Sequence, residues 1–243
     1  MALSRRQAVG VSGAALATLA LGISGGLTVA QAQTPAAAAP PATPTADHLV
    51  PATLRTLAPL PLEADGSAKV YTPVDITPIT GPAMWRYTKG TAPDGETDYK
   101  KLAIKITAGG MTTLSGTMTY DDIAKLPPFS QTVLLQCGAA NPHGVVKWTG
   151  VRFSDVTKML GVQPLAQYCR FIARDGYYTD EDLETATHPQ VMLAWMMNDQ
   201  PLPVENGAPL RVVMPFRYGA RSIKAVTEIA FASPTISNPQ LVR

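Results

Sequence analysis

Few residues in this chain have the type and setting for chemistry. The only thiols are Cys137 and Cys169, and the three imidazoles, His48, His143 and His188, are too widely spread to read as a zinc signature. No G-x-S-x-G, H-E-x-x-H, Walker loop or G-x-G-x-x-G occurs, so serine hydrolase, zincin, nucleotidase and dinucleotide-binding readings lack their usual signatures. The run Thr132-Val133-Leu134-Leu135-Gln136-Cys137 places one thiol at the end of an apolar strand, just before Gly138. Three fates are open to it: a disulfide with Cys169, an inert core thiol, or a thiolate that faces a cavity and binds a soft metal.

The elements that must position these residues are short. Leu102 to Ile106 alternates loosely and runs into the turn Ala108-Gly109-Gly110, and Thr119 to Asp122 caps a short helix that Pro127-Pro128 must end. Ser154 to Leu160 is a helix closed by Gly161. Tyr168 to Ala173 is a strand stopped at Asp175-Gly176. Val191–Met197, Leu210–Met214 and Val226–Phe231 are further apolar runs, and no internal repeat is present. Many prolines, short strands and brief helices predict a single mixed domain of the α+β class instead of alternating βαβ units.

Composition and charge narrow the class. The chain has 243 residues with 46% hydrophobic content, enough for a real core, and a formal net charge of +2. That charge is not the concentrated basic surface of a nucleic-acid binder, so nucleic acid is excluded as a partner. It comes from Arg5 and Arg6, the only charged residues before position 33; beyond them 18 Lys and Arg face 18 Asp and Glu. Ser4-Arg5-Arg6-Gln7, the glycine-diluted apolar run from Val9 to Ala30 and the site Ala30-Gln31-Ala32 read as a twin-arginine (Tat) signal peptide over 1–32, with an uncleaved anchor as the alternative. Residues 33–69, rich in Ala, Pro and Thr up to Pro51, read as linker and lead-in, and 70–243 as the domain. The expected compartment is the periplasm.

Five segments in order then carry a likeness: Leu135-Gln136-Cys137, Lys147-Trp148-Thr149-Gly150-Val151, Ala173-Arg174-Asp175-Gly176-Tyr177-Tyr178, Asn206-Gly207-Ala208-Pro209-Leu210-Arg211, and Tyr218-Gly219-Ala220-Arg221-Ser222-Ile223-Lys224. Together they resemble the molybdopterin-binding domain of the sulfite oxidase superfamily over roughly residues 98–232. Asn206, five residues before Arg211, is similar above all to the periplasmic methionine-sulfoxide reductase catalytic subunits, where sulfite oxidases usually carry histidine. The chain ends at Arg243, which on this reading leaves no room for the immunoglobulin-like dimerisation domain of sulfite oxidase itself.

The resemblance implies a molybdenum–molybdopterin cofactor with Cys137 as the one protein thiolate on the metal, and Asp175 as a carboxylate near pterin or substrate. It further implies that Asn206, Arg211, Gly219, Arg221, Ser222, Ile223 and Lys224 hold the phosphate and pterin edge, where Arg211, Arg221 and Lys224 put three cations within fourteen residues. Trp85 and Arg86, in Met84-Trp85-Arg86-Tyr87, take the place of an upstream pterin-contacting loop. The family's charged residues after the cysteine are missing from Cys137-Gly138-Ala139-Ala140-Asn141-Pro142-His143. His143 is a loop imidazole, either a surface group or one that faces the metal pocket. The implied activity is two-electron oxygen-atom transfer, with a small-molecule or protein-bound S-oxide as substrate and a membrane haem protein or soluble cytochrome as redox partner. Sulfite dehydrogenase is the alternative enzyme, and a non-catalytic binding module that retains the fold is the alternative of another class. No C-x-x-C-H haem-attachment motif occurs.

Overall fold

In a computed structural model of the chain, the described residues are 52–233 apart from 55, 81–83, 89 and 140. The leader at 1–32 and the Ala/Pro/Thr stretch up to Pro51 lie outside them. Ten strands and three short helices follow in chain order. They are β1 (Ala103–Thr107), β2 (Gly116–Thr119), α1 (Tyr120–Ile123), β3 (Pro128–Gln136), β4 (His143–Arg152), α2 (Phe153–Leu160), β5 (Tyr168–Ala173), β6 (Tyr178–Asp182), α3 (Leu183–Ala186), β7 (Met192–Met197), β8 (Gln200–Pro201), β9 (Arg211–Val213) and β10 (Val226–Ala232).

Period-two burial sets the first sheet. In β1, Ile104 and Ile106 point inward while their neighbours stay exposed. The sheet order is β2-β1-β10-β5-β6; β1 pairs with β10 in parallel and every other pairing is antiparallel. The second sheet has the order β3-β4-β7-β8 with β9 also paired to β7, all antiparallel. β7 is apolar on both faces because both are covered: Leu193 and Trp195 pack into the larger core cluster, Met192 and Ala194 into the smaller one.

The larger core cluster gathers Ile104, Ile106, Phe153, Val156, Phe171, Ile229 and Phe231. Phe153 opens α2 and meets Phe171 of β5 edge to face, ring centroids 4.9 Å apart. Each such fully buried ring contributes about 1.5–3 kcal/mol relative to an exposed one. The smaller cluster, with Val133, Val146, Trp148 and Met192, lies along β3, β4 and β7. Thr119 caps α1 through a reciprocal pair with Asp122: Asp122 Oδ2 accepts from the Thr119 amide and from its hydroxyl, each at 2.8 Å. Gly161 closes α2 in the left-handed conformation.

The fold departs from the sequence reading in three places. β2, β4, β6 and β8 are additional strands; β6 (Tyr-Thr-Asp-Glu-Asp) hides its strand character behind three carboxylates because only Thr179 and Glu181 turn inward. The lead-in is not separate from the domain. The compact unit begins at Leu54; Ala68 is buried in the core and exchanges backbone hydrogen bonds with the Gln190 side chain at 2.7 and 2.8 Å. Finally, Cys137 and Cys169 are both free thiols, so the disulfide alternative is not realised. Cys169 is fully buried on β5, where desolvation, reinforced by Glu181, Asp180 and Asp182, pushes its thiol far above the ordinary range.

Candidate active site

A cavity of about 610 Å³ opens where four chain segments meet: the 79–90 stretch, the β3–β4 hairpin end, the β5–β6 turn and the 205–224 stretch around β9. Cys137 lines it, half-buried, immediately after β3, and its amide donates to the Pro142 carbonyl at 2.9 Å across the hairpin end. Asp175 lines it after β5. Its Oδ1 accepts from the Tyr177 amide at 3.0 Å and its Oδ2 from the Tyr87 amide at 3.4 Å, so the carboxylate is fixed by the turn it starts.

The third segment brings the cations. Arg211 is 5% exposed; its Nη1 donates to the Asn206 carbonyl at 2.8 Å, its Nη2 to the Ser222 carbonyl at 3.2 Å, and its guanidinium lies 4.6 Å from the Trp148 ring centroid. Lys224 Nζ sits 4.2 Å from the Trp85 ring centroid and donates to the Glu205 carbonyl at 3.3 Å. Neither cation forms an ion pair with a carboxylate among the described residues. Burial alone pushes Arg211 down to about 9. Lys224 falls to about 8, mainly through desolvation and then through repulsion from Arg211, with Asp175 offsetting part of it. Both remain largely charged at neutral pH, and a buried Arg211 beside a half-buried Lys224, with only Asp175 as a nearby opposite charge, is an unfavourable pairing that an anion would relieve.

Most of the sequence-derived site residues meet here: Trp85, Arg86, Cys137, Asp175, Asn206, Arg211, Gly219, Ser222, Ile223 and Lys224 all line the cavity. Ser222 Oγ is engaged, accepting from the Met214 amide at 3.0 Å, and so holds the loop to β9. Gly219 faces the Gln136 and Cys137 backbone, where an added Cβ would lie 3.4 Å from the Gln136 carbonyl oxygen. Gly207 has φ +110°, and an added Cβ would come within 2.8 Å of Lys224 Cβ, so glycine is required where the chain passes under that lysine. The Trp85 indole N–H is buried without a hydrogen-bond partner, on a residue that lines the cavity.

Arg221 is the exception. It does not line the cavity; its Nη1 donates to Glu181 Oε1 at 3.2 Å and to the Asp180 carbonyl at 3.1 Å, which ties the Gly219–Arg221 turn to β6. Its position among the other cations in sequence disguised a structural partner on β6. His143 is also absent from the lining. It begins β4, and its Nδ1 lies 3.1 Å from Thr80 Oγ1. Conversely, the lining includes Ile79, Gly90, Pro142, Gly144, Tyr177 and Glu205, which sequence reasoning did not select. Tyr177 follows directly on Asp175-Gly176 and could have been found there; its ring carries the Arg86 guanidinium at 4.8 Å and its hydroxyl donates to the Ala220 carbonyl at 3.1 Å. Ile79, in a Pro- and Thr-rich stretch, gave no signal.

Two largely antiparallel sheets and a cavity lined by one free thiol and by two cations without an ion pair make a site suited to an anionic group. The chain belongs to the oxidoreductase molybdopterin binding domain family, whose model matches residues 90–239. It is 31% identical over 149 residues to the mitochondrial sulfite oxidase of Drosophila melanogaster, covering 48% of this chain and 25% of that protein. Over 148 residues it is 29% identical to a putative protein-methionine-sulfoxide reductase subunit of Azospira oryzae, with coverage of 61% and 55%. Over 146 residues it is 31% identical to the protein-methionine-sulfoxide reductase catalytic subunit of Xanthomonas axonopodis pv. citri, with coverage of 52% and 44%. The match thus spans a quarter to about half the length of these relatives. The fold is shared with the sulfane dehydrogenase SoxCD of Paracoccus pantotrophus, at a TM-score of 0.52 and 18% identity over 59% of this chain and 40% of that one.

Proposed function

We propose that this protein is an exported, periplasmic molybdenum–molybdopterin oxidoreductase that reduces an S-oxide, such as methionine sulfoxide, by two-electron oxygen-atom transfer. The observation that carries the reading is the pair Arg211, buried, and Lys224, half-buried, which form no ion pair among the described residues and line the same cavity as Cys137. The lining fits the cofactor in size, within the several hundred Å³ usual for such sites, and in donor chemistry.

Cys137 would give the metal one soft thiolate; among the described residues no three His, Cys, Asp or Glu side chains cluster to ligate it otherwise. Arg211 and Lys224 would hold the anionic phosphate, and the Trp85 indole N–H would donate to a polar edge of the ring system. When bound, the cofactor supplies the two-electron redox couple and the oxygen-accepting site, while the protein supplies orientation, charge and exclusion of water. Asp175, held by the Tyr177 and Tyr87 amides, keeps a fixed negative charge beside Lys224, which favours the protonated state of Lys224 Nζ.

Export rests on Ser4-Arg5-Arg6 and the apolar run behind it; among the described residues no helix is long and apolar enough to cross a membrane. Similarity to the two methionine-sulfoxide reductase proteins and the Asn206–Arg211 spacing support the S-oxide. A membrane haem protein or soluble cytochrome would deliver the electrons. Sulfite oxidation by the same centre is the second reading, supported by the 31% identity to mitochondrial sulfite oxidase.

The test is protein exported from a cofactor-competent host, assayed for molybdenum, for S-oxide reduction with a dye donor and for sulfite oxidation with a dye acceptor. Near-stoichiometric molybdenum with S-oxide turnover is expected. Cys137→Ala should abolish turnover and alter the Mo(V) resonance, while Cys169→Ala, a core substitution costing about 1–2 kcal/mol of stability, should spare both. Less than about a tenth of an equivalent of molybdenum would refute the enzyme reading; sulfite turnover without S-oxide turnover would reverse the order of the two substrates.

A further inference from the structure

The cavity is chemically two-sided. Its cations come from the 205–224 stretch and from Arg86, whereas the hairpin end around Cys137 and the irregular segment that crosses it contribute Leu135, Pro142, Gly144 and Ile79, with no charged side chain. That segment, residues 70–80, precedes the matched family domain at 90–239. It is nevertheless bound to the second sheet. The Tyr71 amide donates to the Thr132 carbonyl at 2.8 Å, Thr77 to Val145 at 3.0 Å and Thr80 to His143 at 2.9 Å. Ile79 is delivered to the wall because Gly144, the register partner of Leu135, has no side chain; a Cβ there would stand 3.1 Å from both Ile79 Cα and Cγ1. Ile79 is half-buried and packs against the Val133–Val146–Trp148 cluster on its other side.

Resting on the S-oxide reading above, we infer that Ile79, seated against Gly144, is a specificity-determining residue that forms an apolar subsite beside Cys137 for the uncharged organic substituent of an S-oxide. An uncharged, apolar substituent gains contact with Ile79, Leu135 and Pro142 and leaves no charge desolvated. A small oxyanion such as sulfite would instead shed its hydration against these side chains with no donor to replace it. The preference is thus set by a segment outside the family domain, and it accounts for a hairpin loop without charged residues after Cys137.

The test uses the molybdenum-loaded full chain and its Ile79→Ala, Ile79→Lys and Gly144→Ala variants, with methyl p-tolyl sulfoxide, dimethyl sulfoxide and sulfite as probes. Molybdenum content and the Mo(V) spectrum are recorded for each. Ile79→Ala is expected to lower kcat/KM for the aryl sulfoxide roughly tenfold, mainly through KM, and to change dimethyl sulfoxide less, because the lost contact scales with apolar substituent size. Ile79→Lys should shift the sulfite-to-sulfoxide ratio of kcat/KM toward sulfite by at least about tenfold. Gly144→Ala, which displaces Ile79 without altering it, should reproduce the aryl-sulfoxide loss. Aryl-sulfoxide kcat/KM within twofold of the parent in Ile79→Ala and Gly144→Ala, at normal molybdenum content, would overturn the inference while leaving the S-oxide reading intact. A parent protein that turns over sulfite alone would overturn both.

Discussion

Lys224 shows how a functional requirement is written into one residue as a local disadvantage. Its charge is half-buried against Trp85 with a backbone carbonyl as partner, and desolvation pulls its ammonium down to about 8 from the ordinary 10.5. Below pH 8 the folded cofactor-free protein bears the cost of that charge. Between about 8 and 10.5 the folded state has released a proton the unfolded chain still holds, so the cost fades as pH rises. Lys224→Met is therefore expected to raise the Tm of cofactor-free protein at pH 7 by about 2–4 °C, the shift that 1 kcal/mol makes in a domain of this size. The gain should vanish by about pH 10.5, and the same variant should retain roughly tenfold less molybdenum. Calorimetry across that pH range, paired with metal analysis, checks both halves. A neighbouring cation gives the contrast: Arg221 has Glu181 as counter-ion and works as a tie for the turn.

Among the elements, β4 is the one on which the site depends most and the one least visible in the sequence. It joins β3, which ends just before Cys137, to β7, and through Trp148 it supports the Arg211 guanidinium. Its sequence, His-Gly-Val-Val-Lys-Trp-Thr-Gly-Val-Arg, has two glycines and no clean alternation because it is covered on both faces and carries a register shift at Thr149/Gly150. At Gly150 an added Cβ would lie 1.9 Å from the Leu193 carbonyl oxygen, so β7 would have to move away. Gly150→Ala should destabilise the protein by about 3 kcal/mol and lower the yield of metal-loaded protein, read by denaturant unfolding and molybdenum content. By contrast β1 and α2 are legible because each has one buried and one more exposed face and a glycine turn at its end, and β5 and β10 because they are short apolar runs, β5 stopping before Asp175-Gly176.

At the scale of the whole molecule, composition misplaces the domain's beginning. The Ala/Pro/Thr bias suggests a start near Val70, yet Ala68 is core, and the Ala58 carbonyl accepts from Gln136 Nε2 at 3.0 Å and from the Tyr218 hydroxyl at 2.8 Å. One carbonyl thus ties the strand before Cys137 to the loop that carries Gly219 and Ser222. A chain beginning at Val70 should unfold several degrees below one beginning at Leu54 and hold less molybdenum, measured by thermal melts and metal content of the two. Sequence alone determined the nearly neutral composition beyond residue 32, the α+β class, the place of one thiol at a strand end and, through five ordered segments, the family, and it named ten of the residues that line the cavity. These are properties of local pattern and of residue type in order. Only the tertiary structure decided that Arg221 faces Glu181 and not the cavity, that Cys169 is an unpaired core thiol, and that Ile79 and Tyr177 complete the lining. Each of those depends on which distant segment comes alongside, and strand register and burial, not spacing in the chain, set that.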